Sequence, residues 1–148
     1  MDIKFQEIRS HGKSVSFLLL NSKTNQQIGS AEGYLSDRGD LVSVIKINRE
    51  FQGQGLGFHV FKHVFSQLGS DGQIKRIVGS WHKDEEFSYC EGGMSTNLGI
   101  FNESLDEGDT PINSAMKTPT GKWAAALGYV KCTIDSYSKA EVKAYFEK

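Results

Sequence analysis

The feature that most restricts what this chain can fold into is a change of hydrophobic period across residues 48–55. Just before it, Leu41-Val42-Ser43-Val44-Ile45-Lys46-Ile47 is rich in β-branched residues and predicts a strand. Just after it, Leu56, Val60, Phe61, Val64, Phe65 and Leu68 recur at helical intervals, which puts one apolar stripe on a helix. Gly69 is placed to end that helix. Ile74, Ile77, Val78 and Trp81 then predict a further strand over 74–81. A strand, a glycine-rich turn, a helix and a strand make a β-α-β unit, and this crossover is long enough to join two parallel strands.

The flanks build around that unit. Strands are predicted over 3–8, 15–20 and 27–34, with turn-forming residues at 10–14, 21–25 and 37–40 between them. Gly29 and Gly33 weaken the third strand. The first third therefore reads as an antiparallel meander ending in the 41–47 strand. Beyond residue 81 the pattern loosens. Helical pieces are expected over 97–105 and, opened by Pro111, over 111–116. Thr120 is expected to cap an alanine-rich helix over 121–127 that Gly128 stops. A strand over 129–134 and a turn at 135–139 follow; Val142, Ala144 and Phe146 alternate as a last strand, with a terminal helix as the alternative. With no repeat or linker, the expectation is one α+β domain over 1–148, with a mixed, mostly antiparallel sheet and a central helix after the fourth strand.

A chain of 148 residues with 38% hydrophobic and 24% charged content suits one domain with a real core. No apolar run approaches the roughly 18 residues that span a bilayer, and Met1-Asp2-Ile3-Lys4 lacks the basic start and apolar middle of a secretory signal. A cytoplasmic site of action and no membrane partner are expected, although delivery to another cell without an N-terminal signal leaves no trace in a sequence. Cys90 and Cys132 lie far apart with no CxxC spacing, which argues against a disulfide scaffold or a cysteine zinc site. His11, His59 and His63 show no metal-ligand spacing with acids, so no metal is expected. The net charge of −1 hides an uneven distribution: residues 82–110 carry eight acids against one base, Lys83, and the rest carries sixteen bases and ten acids. The acidic stretch reads either as a solvated loop or as an attractor for a cationic acceptor.

The turn Asn48-Arg49-Glu50-Phe51-Gln52-Gly53-Gln54-Gly55-Leu56-Gly57 carries the chemistry. Glycines adopt positive φ and let backbone approach a ligand. The first N–H groups of a helix have no internal partner, and the helix dipole adds partial positive charge beside them. Such a turn suits a phosphate or pyrophosphate. The dinucleotide fingerprint fails, because Gly53-x-Gly55 is followed by Phe58 and Gly55-x-Gly57 by Val60 where glycine is needed. The P-loop fails because no Gly-Lys-Ser/Thr follows. The pattern that fits is Gln52-x-x-Gly55-x-Gly57, and in it the chain resembles the GNAT superfamily of N-acetyltransferases, whose coenzyme A signature is Gln or Arg, two residues, Gly, one residue, then Gly or Ala. Leu127-Gly128-Tyr129 is similar to the Leu-Gly-Phe/Tyr that often precedes the sixth strand in that family. The resemblance covers 41–81 well and 120–148 loosely.

The resemblance implies acetyl-CoA as co-substrate, held by Ile45, Ile47, Gln52, Gly53, Gln54, Gly55, Leu56 and Gly57, with a backbone N–H near Ile47 polarising the thioester carbonyl. It implies direct attack by a primary amine, small molecule or protein, and a monomer or homodimer. A general base must take the amine proton. His82, just past the fifth strand, is the first candidate. Glu85 and Glu86 could act through water, Tyr89 or Tyr129 could protonate the thiolate, and Glu50 shapes the loop. Cys90 as nucleophile would imply an acyl-enzyme, against the family's usual direct route. The chain departs from the family in two places. Only residues 10–14 separate the first two strands, where members place one or two helices, so 82–117 is expected to wall the acceptor site instead. Ala124 stands where many members have the thiolate-protonating Tyr. Residues 95–122, through Ser95-Thr96-Asn97-Leu98, Phe101-Asn102 and Thr118-Pro119-Thr120-Gly121-Lys122, also resemble domains of secreted bacterial toxins. Two alternatives stay open: a toxin-type member acetylating an aminoacyl-tRNA or a host protein, with charged tRNA the one nucleic-acid partner considered, and a coenzyme A-binding module without catalysis.

Overall fold

The structure, a computed structural model, describes residues 1–69, 72–83 and 96–148. The chain divides into two compact units, Met1–Ile74 and Lys75–Lys148.

In the first unit β1 (Ile3–His11), β2 (Ser14–Asn21), β3 (Gln27–Leu35) and β4 (Asp40–Ile47) form the expected antiparallel meander. Strands outrun the apolar alternation because main-chain pairing continues past it; His11 still faces Ser14 across the tight β1–β2 turn. Ile8 falls at a register shift between Glu7 and Arg9 and is 59% exposed, which explains why it stands out of phase in the sequence. Helix α1 (Leu56–Leu68) keeps its expected bounds and buries Leu56, Val60, Phe61, Val64 and Leu68. It packs on β2, β3 and β4. Gly33 permits this: a Cβ there would meet Val64 Cγ1 at 2.4 Å and Leu68 Cδ1 at 2.8 Å. The glycine that weakened the strand reading is what lets the helix lie close to the sheet.

In the second unit β7 (Glu141–Glu147) lies between β5 (Arg76–His82) and β6 (Lys131–Tyr137), antiparallel to both. The last segment is a strand, not a terminal helix, with Val142, Ala144 and Phe146 alternating into the core. Helices α2 (Thr96–Asp106), α3 (Pro111–Met116) and α4 (Pro119–Ala126) pack on this sheet. Leu98, Phe101, Ala124 and Tyr129 join Ile77, Trp81 and Phe146 in its core. The cap of α4 is Thr118, not Thr120. Pro119 takes the first helical position, and Thr118 Oγ1 accepts from the Gly121 N–H at 3.0 Å and donates to the Ala115 carbonyl at 2.6 Å. Thr120 lies inside the helix, its N–H donating to Asn97 Oδ1 at 2.9 Å. Thr110-Pro111 opens α3 in the same way. The sixth strand starts later than expected because Tyr129 still closes α4, its N–H donating to the Ala124 carbonyl at 2.9 Å.

Candidate active site

The loop is built from the end of β4. Ile45 faces Ala31 and Ile47 faces Gly29 on β3. A Cβ on Gly29 would lie 2.0 Å from the Lys46 carbonyl oxygen, so this end of β4 presses on bare backbone. Asn48 turns the chain: its N–H donates to the Ile28 carbonyl at 2.8 Å and its Nδ2 to the Gln27 carbonyl at 3.2 Å. Arg49–Phe51 form one 3₁₀ turn. Gln52 Nε2 then donates to the Ile47 carbonyl at 2.8 Å. The side chain at the head of the signature therefore staples the loop to the strand, and what the loop offers outward is backbone.

Gly53 and Gly55 have φ of 81° and 75°, while a Cβ on either meets nothing within 4 Å. Glycine is required there by the left-handed backbone, not by lack of room. Gly55 is the N-cap of α1 and supplies no side-chain acceptor. The N–H groups of the first turn, from Leu56 and Gly57 on, thus have neither an intrahelical partner nor a side-chain cap. The dipole of a 13-residue helix adds to them, and the turn has no acidic residue to oppose an anion. Leu56 points its side chain into the core and anchors the turn, while Gln54 is exposed.

A second constellation sits at the end of β5. His82 pairs with Glu141 on β7, and its Nδ1 lies 3.2 Å from Glu141 Oε2. Its Nε2 lies 3.3 Å from Ser80 Oγ, two residues back on the same face of the strand. The main chain locks this end, since the Lys83 N–H donates to the Ala140 carbonyl at 2.7 Å. The turn leading into Glu141 is braced by Asn102 Nδ2, which donates to the Lys139 carbonyl at 3.1 Å, and by a Lys139–Asp106 ion pair. The imidazole side chain is 42% exposed, open to solvent on one side.

Sequence reasoning reached His82 but not its partners. Alternation along β5 could have found Ser80; Glu141 needs the β5–β7 register, which no local pattern shows. Glu85 and Tyr89, with Glu86 and Cys90, lie outside the described residues. Tyr129 has no exposed surface and is a core residue rather than an acid. Ala124, at the position of the family's Tyr, is equally buried. Clefts among the described residues include one of about 270 Å³ on the first unit, lined by Arg9, Ser16, Glu32, Tyr34, Val42 and Val44 among others, and one of about 740 Å³ along β6 beside Ile112.

No protein-family model matches the sequence, and no curated protein matches it. Solved structures do match its fold. The GNAT domain of PAT from S. lividans is 10% identical over 94% of this chain and 64% of that one, with a TM-score of 0.51. A GNAT acetyltransferase from Kribbella flavida is 9% identical over 96% and 71%, with a TM-score of 0.51. The ribosomal-protein-S5-alanine acetyltransferase of Vibrio fischeri is 15% identical over 93% and 62%, with a TM-score of 0.50. The chain spans about two thirds of the length of these proteins. Identities this low speak to the course of the backbone, and by that course the chain has the GNAT fold: α+β, with a mixed, mostly antiparallel sheet and a central helix after the fourth strand.

Proposed function

We propose that the chain is a single-domain N-acetyltransferase that takes acetyl-CoA on the loop Gln52–Gly57 and passes the acetyl group to a primary amine by direct attack. The observation that carries this reading is the loop itself: two positive-φ glycines, a Gln52 staple to Ile47, and an uncapped helix N-terminus. The coenzyme's pyrophosphate takes the N–H groups of the first turn, and the backbone N–H near Ile47 polarises the thioester carbonyl. His82, whose Nδ1 lies 3.2 Å from Glu141 Oε2, is the general base. The acidic stretch favours a cationic acceptor, small molecule or protein, over a charged tRNA, which wants a basic surface. A second reading, a coenzyme A-binding module without turnover, is favoured by the buried Ala124 where the family's acid would stand.

Calorimetric titration with acetyl-CoA tests the site. Wild type is expected to bind in the micromolar range, and Gly55→Glu, which sets a carboxylate against the pyrophosphate, to bind at least about tenfold more weakly. Gly12→Glu is the control: it places the same residue at positive φ, 58°, in open space at the β1–β2 turn, and is expected to bind like wild type. Absence of wild-type binding, or an equal loss in both variants, removes the loop as the coenzyme site. Binding with no acetyl transfer across a panel of amines favours the second reading.

A further inference from the structure

Helix α1 packs on one face of the meander in the first unit. Gly33 faces Val64 and Leu68 of that helix, so its neighbours Glu32 and Tyr34 point from the opposite face. On that face the strand register sets two rows side by side. Arg9, Ser16, Glu32 and Val44 form one row across β1 to β4, and Ser14, Tyr34 and Val42 stand in the next. The serines of β2 are short and the side chains on either bank are long, so a trough runs along β2. This trough is the cleft of about 270 Å³. Its volume falls just under the roughly 300–1,000 Å³ of pockets for drug-sized molecules, which suits a smaller ligand. Arg9 and Glu32 stand on opposite banks, two strand spacings or roughly 10 Å apart at their Cα atoms. Among the described residues, the Arg9 guanidinium and the Glu32 carboxylate enter no ion pair and no side-chain hydrogen bond. Tyr34, 51% exposed, and the half-buried Val42 and Val44 make an apolar wall beside Glu32. Each part asks for its complement: a guanidinium takes a carboxylate in two parallel hydrogen bonds, a carboxylate takes an ammonium, and the wall takes hydrocarbon.

We propose that this cleft binds a free apolar α-amino acid as its zwitterion. The ligand's carboxylate lies on the Arg9 guanidinium and its ammonium on the Glu32 carboxylate. The Ser16 hydroxyl forms the floor between them, and the ligand's side chain lies against Tyr34, Val42 and Val44. An amino acid carries both charges on one carbon, so a single small molecule answers two groups that the strands hold apart. A simple cation or anion answers only one of them. The site does not depend on the coenzyme loop, which follows the far end of β4 and opens a helix on the other face. The two sites therefore bind, and fail, separately.

Amide proton–nitrogen spectra of the intact protein, titrated with L-leucine, test this. Saturable shifts with a millimolar Kd are expected at residues 14–16, 32–34 and 42–44, with the amides of the coenzyme loop unmoved. Leucinamide, which lacks the carboxylate, and N-acetyl-leucine, which lacks the ammonium, are each expected to bind about fivefold more weakly, the scale of an exposed ion pair. Arg9→Gln is expected to bind leucine about fivefold more weakly and to lose its preference over leucinamide, while keeping that over N-acetyl-leucine. Glu32→Gln is expected to do the reverse. Both side chains are exposed, and the same spectra show that each variant is folded. Absence of shifts with leucine, shifts unchanged in both variants, or glycine binding as well as leucine overturns the proposal. Shifts of the same residues on concentrating the protein alone make this face an interface between copies and overturn it too. Leucine binding as expected, in a protein that does not bind acetyl-CoA, upholds this site and sinks the coenzyme reading.

Discussion

At the scale of single residues, the pairing of His63 with Phe5 shows how a side chain's chemistry is set by a partner remote in sequence. The rings of Phe5 on β1 and His63 on α1 stack at 3.8 Å, 13° from parallel, with Phe17 edge-on to His63 at 5.0 Å. His59, one turn away, leans on Phe5 at 5.7 Å. Burial first, and then the neighbouring His59, hold the His63 imidazole below its ordinary range. A histidine of this kind binds its proton more readily in the unfolded chain. Its contribution is present above the ordinary histidine value of about 6.5 and is lost as pH falls through that value toward the folded one. Thermal unfolding is therefore expected at a lower Tm at pH 5.5 than at pH 7.5, and His63→Leu, which keeps the apolar contact, to flatten that slope. A slope unchanged in the variant would place the acid sensitivity elsewhere. Nothing around His63 in the sequence announces this, because Phe5 and Phe17 reach it through the packing of α1 on the sheet. Gly53 and Gly55 are legible for the opposite reason: the positive φ they supply is a local demand that a sequence states outright.

At the scale of elements, α1 was legible whole because a 3.6-residue stripe bounded by Gly55 and Gly69 needs no tertiary information. What it packs on was not. Gly33 reads as a flaw in a strand, yet it is the contact point under Val64 and Leu68. Gly33→Ala is expected to cost about 1–3 kcal/mol, the usual cost of overpacking. Val64→Ala added to it should cost less than it does alone, since the space that Gly33→Ala lacks is what Val64→Ala creates. Urea unfolding of the four forms measures this, and strict additivity would mean that α1 does not press on β3 there. Thr118 and Thr120 teach a related lesson. Both precede an alanine-rich run, and only the rule that Pro opens a helix at its first position separates them. Thr118→Ala should destabilise by about 1–2 kcal/mol through the lost cap.

At the scale of the whole molecule, what no local pattern shows is long-range order: β7, last in the chain, lies between β5 and β6, and this is what sets Glu141 beside His82. Charge distribution is the other whole-chain property, and it bears on the acceptor. Eight acids against one base over 82–110 suggest attraction of a cation. Of the described acids there, Asp106 pairs with Lys139 and Asp109 with Lys117, so their fields are largely compensated. Glu103 and Glu107 are exposed and in no ion pair among the described residues, and Glu107 also acts on Lys117 at longer range. If the acceptor is cationic, KM for spermidine should rise steeply with ionic strength, because exposed charges are screened within about 10 Å at 0.1 M salt. KM for a monoamine of lower charge, such as benzylamine, should rise less. Glu103→Gln with Glu107→Gln should raise the spermidine KM about threefold at low salt, the scale of a fraction of a kcal/mol for exposed charges, and leave kcat alone. Equal salt dependence for both amines would mean that the acidic stretch does not select the acceptor, and that its charge serves only to keep the surface solvated.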